Sequence, residues 1–147
     1  MTLLVAVLFF CVLMSMAIED ARTGLVSVVG VTALGVLAII QHIANGTVGS
    51  GIGDVLGGWL AFGSLYWLSY WVYKQPMMGD GDVWLMGVLG GFFGLAGLAY
   101  VALWSGVLCS GFGLGLLVAR GRCALSYRLP FVPFIFMASV GYWLWVV

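Results

Sequence analysis

Three aspartates stand at the mouths of apolar runs: Asp20 behind the first run, and Asp80 and Asp82 ahead of the fourth. An ionised carboxylate beside hydrocarbon is costly, so a membrane chain that keeps several there has a chemical use for them. Two carboxylates within hydrogen-bonding distance do not both ionise easily; they share one proton and act as base and acid on one water molecule. Aspartic proteases hydrolyse amides in this way. Asp20 follows the C-terminal end of a helix, which disfavours negative charge, while Asp82 opens one, which favours it. The dyad is therefore expected to keep its proton on Asp20 and its charge on Asp82, and to titrate as a coupled pair.

The glycines around Asp80 admit two readings. Gly79 and Gly81 lack side chains, so an extended peptide can approach them and pair with the loop as an added strand. The plainer reading is a helix start, since Asp is a favoured N-cap and glycine suits a turn. Gly51-Ile52-Gly53-Asp54 spells a similar pattern, and Asp54 is read as a helix cap on the opposite face from Asp20. His42 stands by itself near that same face, which makes it a polar helix end and no metal ligand.

The elements that hold these residues follow from composition. Of the 147 residues, 64% are hydrophobic and 7% charged, against about a quarter charged in soluble domains. The expected fold is an all-α integral membrane protein, a single membrane-embedded domain over 1–147 with six transmembrane helices at 2–18, 25–41, 55–73, 83–99, 101–118 and 129–147. A crossing takes about 20 apolar residues, and the polar alternation of barrel strands is missing. All five basic residues, Arg22, Lys74, Arg120, Arg122 and Arg128, follow odd-numbered runs. Basic residues are retained in the cytoplasm, so both termini are expected outside and loops one, three and five inside. The first run lacks a basic start and a small-residue cleavage site and is read as a retained span. Cys11, Cys109 and Cys123 form no Cys-x-x-Cys pair, which excludes a zinc ribbon; Cys11 and Cys109 are read as small hydrophobes and Cys123 as facing the reducing cytoplasm.

Small residues three or four apart, Gly87, Gly90, Gly91, Gly94 and Gly97, predict close helix packing. Two prolines in Leu129-Pro130-Phe131-Val132-Pro133 mark the first turn of the last helix and can leave backbone groups exposed there.

Gly79-Asp80-Gly81-Asp82 at a helix start, after Asp20-x-Arg22 at an earlier loop, resembles the type IV prepilin peptidase family, whose pattern is an Asp behind one span and Gly-x-Gly-Asp ahead of another. Leu129-Pro130-Phe131-Val132-Pro133-Phe134 resembles the family's last helix, with Val132 where glycine is common. The short length and missing zinc ribbon resemble the compact Flp or tight-adherence branch without the methylating domain. Two departures stand out: Trp84 occupies the position of the family's lysine, and Val26-Ser27-Val28 replaces its Ile-Pro-Asn or Ile-Pro-Asp. Lys74 or Arg22 can supply the missing positive charge.

The resemblance implies a membrane aspartic endopeptidase of the bacterial cytoplasmic (inner) membrane, its active site facing the cytoplasm. It removes the short leader of a prepilin or pseudopilin substrate, with Asp20 and Asp82 catalytic. Gly79, Asp80, Gly81, Glu19 and Lys74 are the candidates for motif and substrate binding, the acidic ones attracting a basic leader. No metal or other cofactor and no nucleic acid is implied; the lipid membrane is the second partner. The rival is a peptidase-like membrane scaffold impaired at Trp84, or a small transport or assembly subunit. A transporter, however, places ionisable groups near midspan.

Overall fold

The computed structural model describes residues 3–74, 79–120 and 129–146. Five helices account for nearly all of them: α1 (Leu3–Thr23), α2 (Val28–Asn45), α3 (Val48–Tyr73), α4 (Asp80–Arg120) and α5 (Val132–Val146). By length and composition α1, α2 and α4 are apolar enough to cross a membrane, and α5 is a shorter apolar helix. The expected Cys123, Arg122 and Arg128 lie outside the described residues.

Helix ends follow local chemistry. Gly24, at φ 65°, closes α1 one turn beyond Asp20, its N–H donating to the Asp20 carbonyl at 2.8 Å. Asp20 thus belongs to the last turns of α1, which runs past the expected end at 18. Gly46, at φ 66°, ends α2: its N–H donates to the Ile43 carbonyl and that of Thr47 to the His42 carbonyl. This paired arrangement satisfies carbonyls that a helix end would leave bare.

The two central runs, expected as separate helices at 83–99 and 101–118, are two helical arms of α4 whose boundary falls at Gly94 instead of near residue 100. Forty-one residues in a straight helix would reach about 60 Å, twice the apolar thickness of a bilayer. Instead Gly94 takes φ 74° and ψ 167°, a region open essentially to glycine alone. The chain doubles back there. Leu98 Cδ2 lies 3.2 Å from a methyl placed on Gly90, whereas eight residues of straight helix would set the two Cα atoms about 12 Å apart. Ala102 and Cys109 accordingly line the same cleft as Asp80 and Asp82.

A reversal inside an apolar helix strands carbonyls that no water can reach. Two side chains of α2 meet them. His42 Nε2 bonds the Gly91 carbonyl at 2.6 Å and Gln41 Nε2 the Phe92 carbonyl at 3.4 Å. Since a carbonyl only accepts, His42 carries its proton on Nε2, and its Nδ1 faces Thr47 Oγ1 at 3.0 Å. The helix-end reading of His42 becomes specific: it caps an interior break. Asp54 is corrected more sharply. Because α3 begins at Val48, Asp54 lies well inside it and is no N-cap; its carboxylate comes within 3.8 Å of a methyl placed on Gly94, beside the start of the returning arm.

The core joins α1 to the reversal. Phe9 stacks on Phe92 with ring centres 3.6 Å apart, and Leu13, Leu34, Leu85, Leu89 and Ile135 are fully buried around them. Close approach of α3 to α4 depends on bare positions, most plainly Gly90, where a methyl would stand 2.7 Å from the Asp54 carbonyl oxygen.

Candidate active site

Asp20 and Asp82 come from helices that run in from different parts of the chain, and both line one cleft of about 1050 Å³. The end of α1 and the connection after it supply Asp20, Arg22, Gly24 and Val26, and the start of α4 supplies Gly79, Asp80, Gly81 and Asp82. Phe62, Ala102, Cys109 and Phe131 extend the lining from α3, the returning arm of α4 and the approach to α5.

Asp82 is aimed by the turn that opens α4. Gly79 is the cap residue: its carbonyl accepts the N–H groups of Asp82 at 3.1 Å and Val83 at 3.4 Å. In return the Gly79 N–H donates to the Asp82 carboxylate. This reciprocal pairing has capping-box form, with the acid at the third helical position. Gly81, one residue earlier, packs on Val26, so the turn bearing Asp82 seats directly on the connection behind Asp20.

Asp20 is buried, at 5% exposure, and its Oδ2 accepts the backbone N–H of Val132 at 2.9 Å. That donor is the first residue of α5. The N-terminus of a helix is a ready anion site, so the carboxylate at the end of α1 faces the positive end of α5.

Asp82 precedes the apolar run that begins at Val83. Burial pushes its carboxyl above the ordinary carboxylate range and the Asp20 charge adds to this, while the Gly79 N–H pulls the other way. Asp82, expected to carry the charge, is thus the carboxyl whose ionised form burial and its neighbour disfavour. The expectation counted only the helix that Asp82 belongs to, and burial outweighs the α4 dipole there.

Residues 7–114 match the model of the type IV leader peptidase family. The chain belongs to that family. It is 32% identical over 98 residues to the prepilin leader peptidase/N-methyltransferase of Aeromonas salmonicida (strain A449), a match covering 67% of this chain and 33% of that protein. It is 32% identical over 127 residues to leader peptidase HopD of Salmonella typhimurium, covering 84% of this chain and 81% of the relative. A type 4 prepilin-like proteins leader peptide-processing enzyme of Escherichia coli is 31% identical over 112 residues, covering 76% and 39%. The chain thus spans about a third of the length of the Aeromonas relative and most of that of HopD. No solved structure matches it.

Within this leader peptidase family member the remaining candidates separate. Asp80 lines the cleft, is exposed, and takes a hydrogen bond from the Tyr66 side chain of α3. Gly79 and Gly81 line it too, but Gly81 is covered by Val26 and both belong to a helix start, which leaves no extended edge for an added strand. Glu19 is exposed on α1 and absent from the lining. Lys74 caps α3 at φ 56°, exposed and likewise absent from the lining, whereas Arg22 is the basic residue that lines the cleft. Trp84, 56% exposed, sets its ring edge against Trp59 at 4.6 Å. Among the described residues no group of three His, Cys, Asp or Glu side chains is arranged to hold a metal.

Val132 and Tyr66 were not among the residues singled out for chemistry. Tyr66 carries no motif. Val132 acts through its backbone, and the one signal was the pair of prolines around it, which leaves few donors in that turn.

Proposed function

We propose that this protein is a membrane aspartic endopeptidase that removes the leader from a type IV prepilin-like precursor of the Flp type. The observation that carries the reading is that Asp20 and Asp82 line one cleft, with one carboxyl aimed by a helix start and the other held by a helix N-terminus. The names of the family and of its relatives support a leader peptide as the substrate.

In the reaction, ionised Asp20 takes a proton from the attacking water while protonated Asp82 hydrogen-bonds the scissile carbonyl oxygen and gives it a proton. Collapse of the tetrahedral intermediate returns a proton from its hydroxyl to Asp82, and Asp20 passes its own to the leaving amine. Charge never accumulates beyond one unit on the pair. Asp80 and Arg22 at the rim bind polar parts of the leader, and the apolar lining from Phe62 to Phe131 takes the start of the precursor's hydrophobic helix.

The loop charges support a bacterial cytoplasmic membrane protein with the cleft toward the cytoplasm and both termini outside. The apolar α1 and α2 and the two arms of α4 support a chain that crosses the membrane several times, and six crossings follow if α3 and α5 cross as well. Coexpression with a candidate precursor tests the activity: a mobility shift and a mature N-terminus at the leader boundary are expected, and an unprocessed precursor beside correctly inserted protein overturns it.

A further inference from the structure

The first turn of α5 offers the cleft a single donor. The N–H groups of Phe134 and Ile135 both go to the Phe131 carbonyl, at 3.1 and 3.2 Å, and Pro133 has no N–H to give. The Val132 N–H remains, and it donates to Asp20 Oδ2. Val132 is fully buried and Asp20 nearly so, so water does not compete for the bond. Among the described residues Asp20 Oδ1 takes no hydrogen bond. Among the described residues, then, one oxygen of the carboxylate is held and the other has no donor. The region matched by the family model ends at residue 114, ahead of this turn.

We propose that the Val132 N–H is a positioning group for hydrolysis: through it α5 grips Asp20 by Oδ2, so that Oδ1 alone is presented to the attacking water. Pro133 sharpens the grip by removing the neighbouring donor, which would otherwise pull the carboxylate along the turn. The inference rests on the peptidase reading. It makes α5 part of the active site without any α5 side chain reaching the substrate.

Among the described residues, the charged and titratable groups that line the cleft with Asp20 are Asp80 and Asp82 from the start of α4, Cys109 from its returning arm and Arg22 from the last turn of α1, with Tyr66 of α3 bonded to Asp80; Phe62 of α3 and the approach to α5 add apolar lining. Removing the donor withdraws a hydrogen bond from the charged form of the pair, so the fully protonated, inactive dyad should form at higher pH.

The experiment measures the pH profile of precursor cleavage in lipid nanodiscs for four proteins: wild type, the Val132 amide-to-ester analogue, Val132→Pro and Val132→Ala. The ester deletes only the N–H; proline deletes it at a first helical position, where its ring is tolerated; alanine keeps it and trims the side chain. The acid limb should move up by about one to two pH units in the ester and proline variants and stay in place in Val132→Ala. A wild-type acid limb in a folded ester variant overturns the proposal, as does an equal displacement in Val132→Ala, because packing would then be the cause. A wild-type protein that cleaves nothing takes down the peptidase reading and the grip together, whereas the first two results overturn the grip alone.

Discussion

The bare Cα of Gly81 lies under Val26: a methyl placed on it would stand 2.7 Å from Val26 Cβ. The two residues flank the aspartates in the chain, so this contact sets how closely the start of α4 approaches the end of α1.

Gly81→Ala should therefore separate the dyad while leaving the helices formed. Overpacking of this kind costs about 1–3 kcal/mol, and a misplacement near 1 Å costs about a hundredfold in rate. Val26→Ala should restore much of the loss in the double variant by opening the space. Cleavage assays on the two single variants and the double variant check this; additive losses would show that Gly81 matters for another reason.

Asp20→Asn and Asp82→Asn should each lower cleavage by about 10²- to 10⁴-fold, since an amide cannot exchange the proton that water needs. Insertion and thermal stability should change little by comparison. Asp80→Asn loses only a rim charge and should keep most of the activity. Near-normal cleavage by either of the first two variants rejects the dyad.

The pH profile carries a sign. Asp82 holds its proton above the ordinary carboxylate range, so the singly protonated, active pair survives to higher pH than a free aspartate would allow. Activity should fall as pH rises through that displaced value and again as the pair takes its second proton in acid. An alkaline limb near pH 4, the value for an unperturbed aspartate, would contradict the burial of Asp82.

Which cation serves the cleft can be decided by comparing Arg22 with Lys74. Arg22→Gln should raise KM by up to about fivefold, the range of an exposed charge pair, and Lys74→Gln should leave it unchanged. Lys74→Gly should raise stability by about 1 kcal/mol, because φ 56° strains any residue with a side chain. Greater sensitivity at Lys74 than at Arg22 would reverse the assignment.

How far these features were legible differs by their physical origin. Apolar runs and charge clusters are properties of composition, and they led to the helices and to Asp20 and Asp82. Gly94 was not distinguishable from Gly90, Gly91 or Gly97, because glycine permits a reversal anywhere and only the packed partners select one. Asp54 misled for a related reason: Gly-Ile-Gly-Asp spells a cap, but α3 had already begun at Val48. Val26 over Gly81 and the Val132 N–H on Asp20 join positions far apart in the chain, one through steric fit and one through the backbone, and neither leaves a pattern in residue type.

The reversal at Gly94 also bears on how the protein enters the bilayer. Between Asp82 and Arg120 the chain carries no charged residue, so no hydrophilic loop has to be carried across when the two arms of α4 go in. They can enter as a preformed hairpin, its tip already supplied with partners by Gln41 and His42 of the helix made before it. Order of synthesis then matches order of need: the groups that quench the stranded carbonyls are in place before the carbonyls arrive.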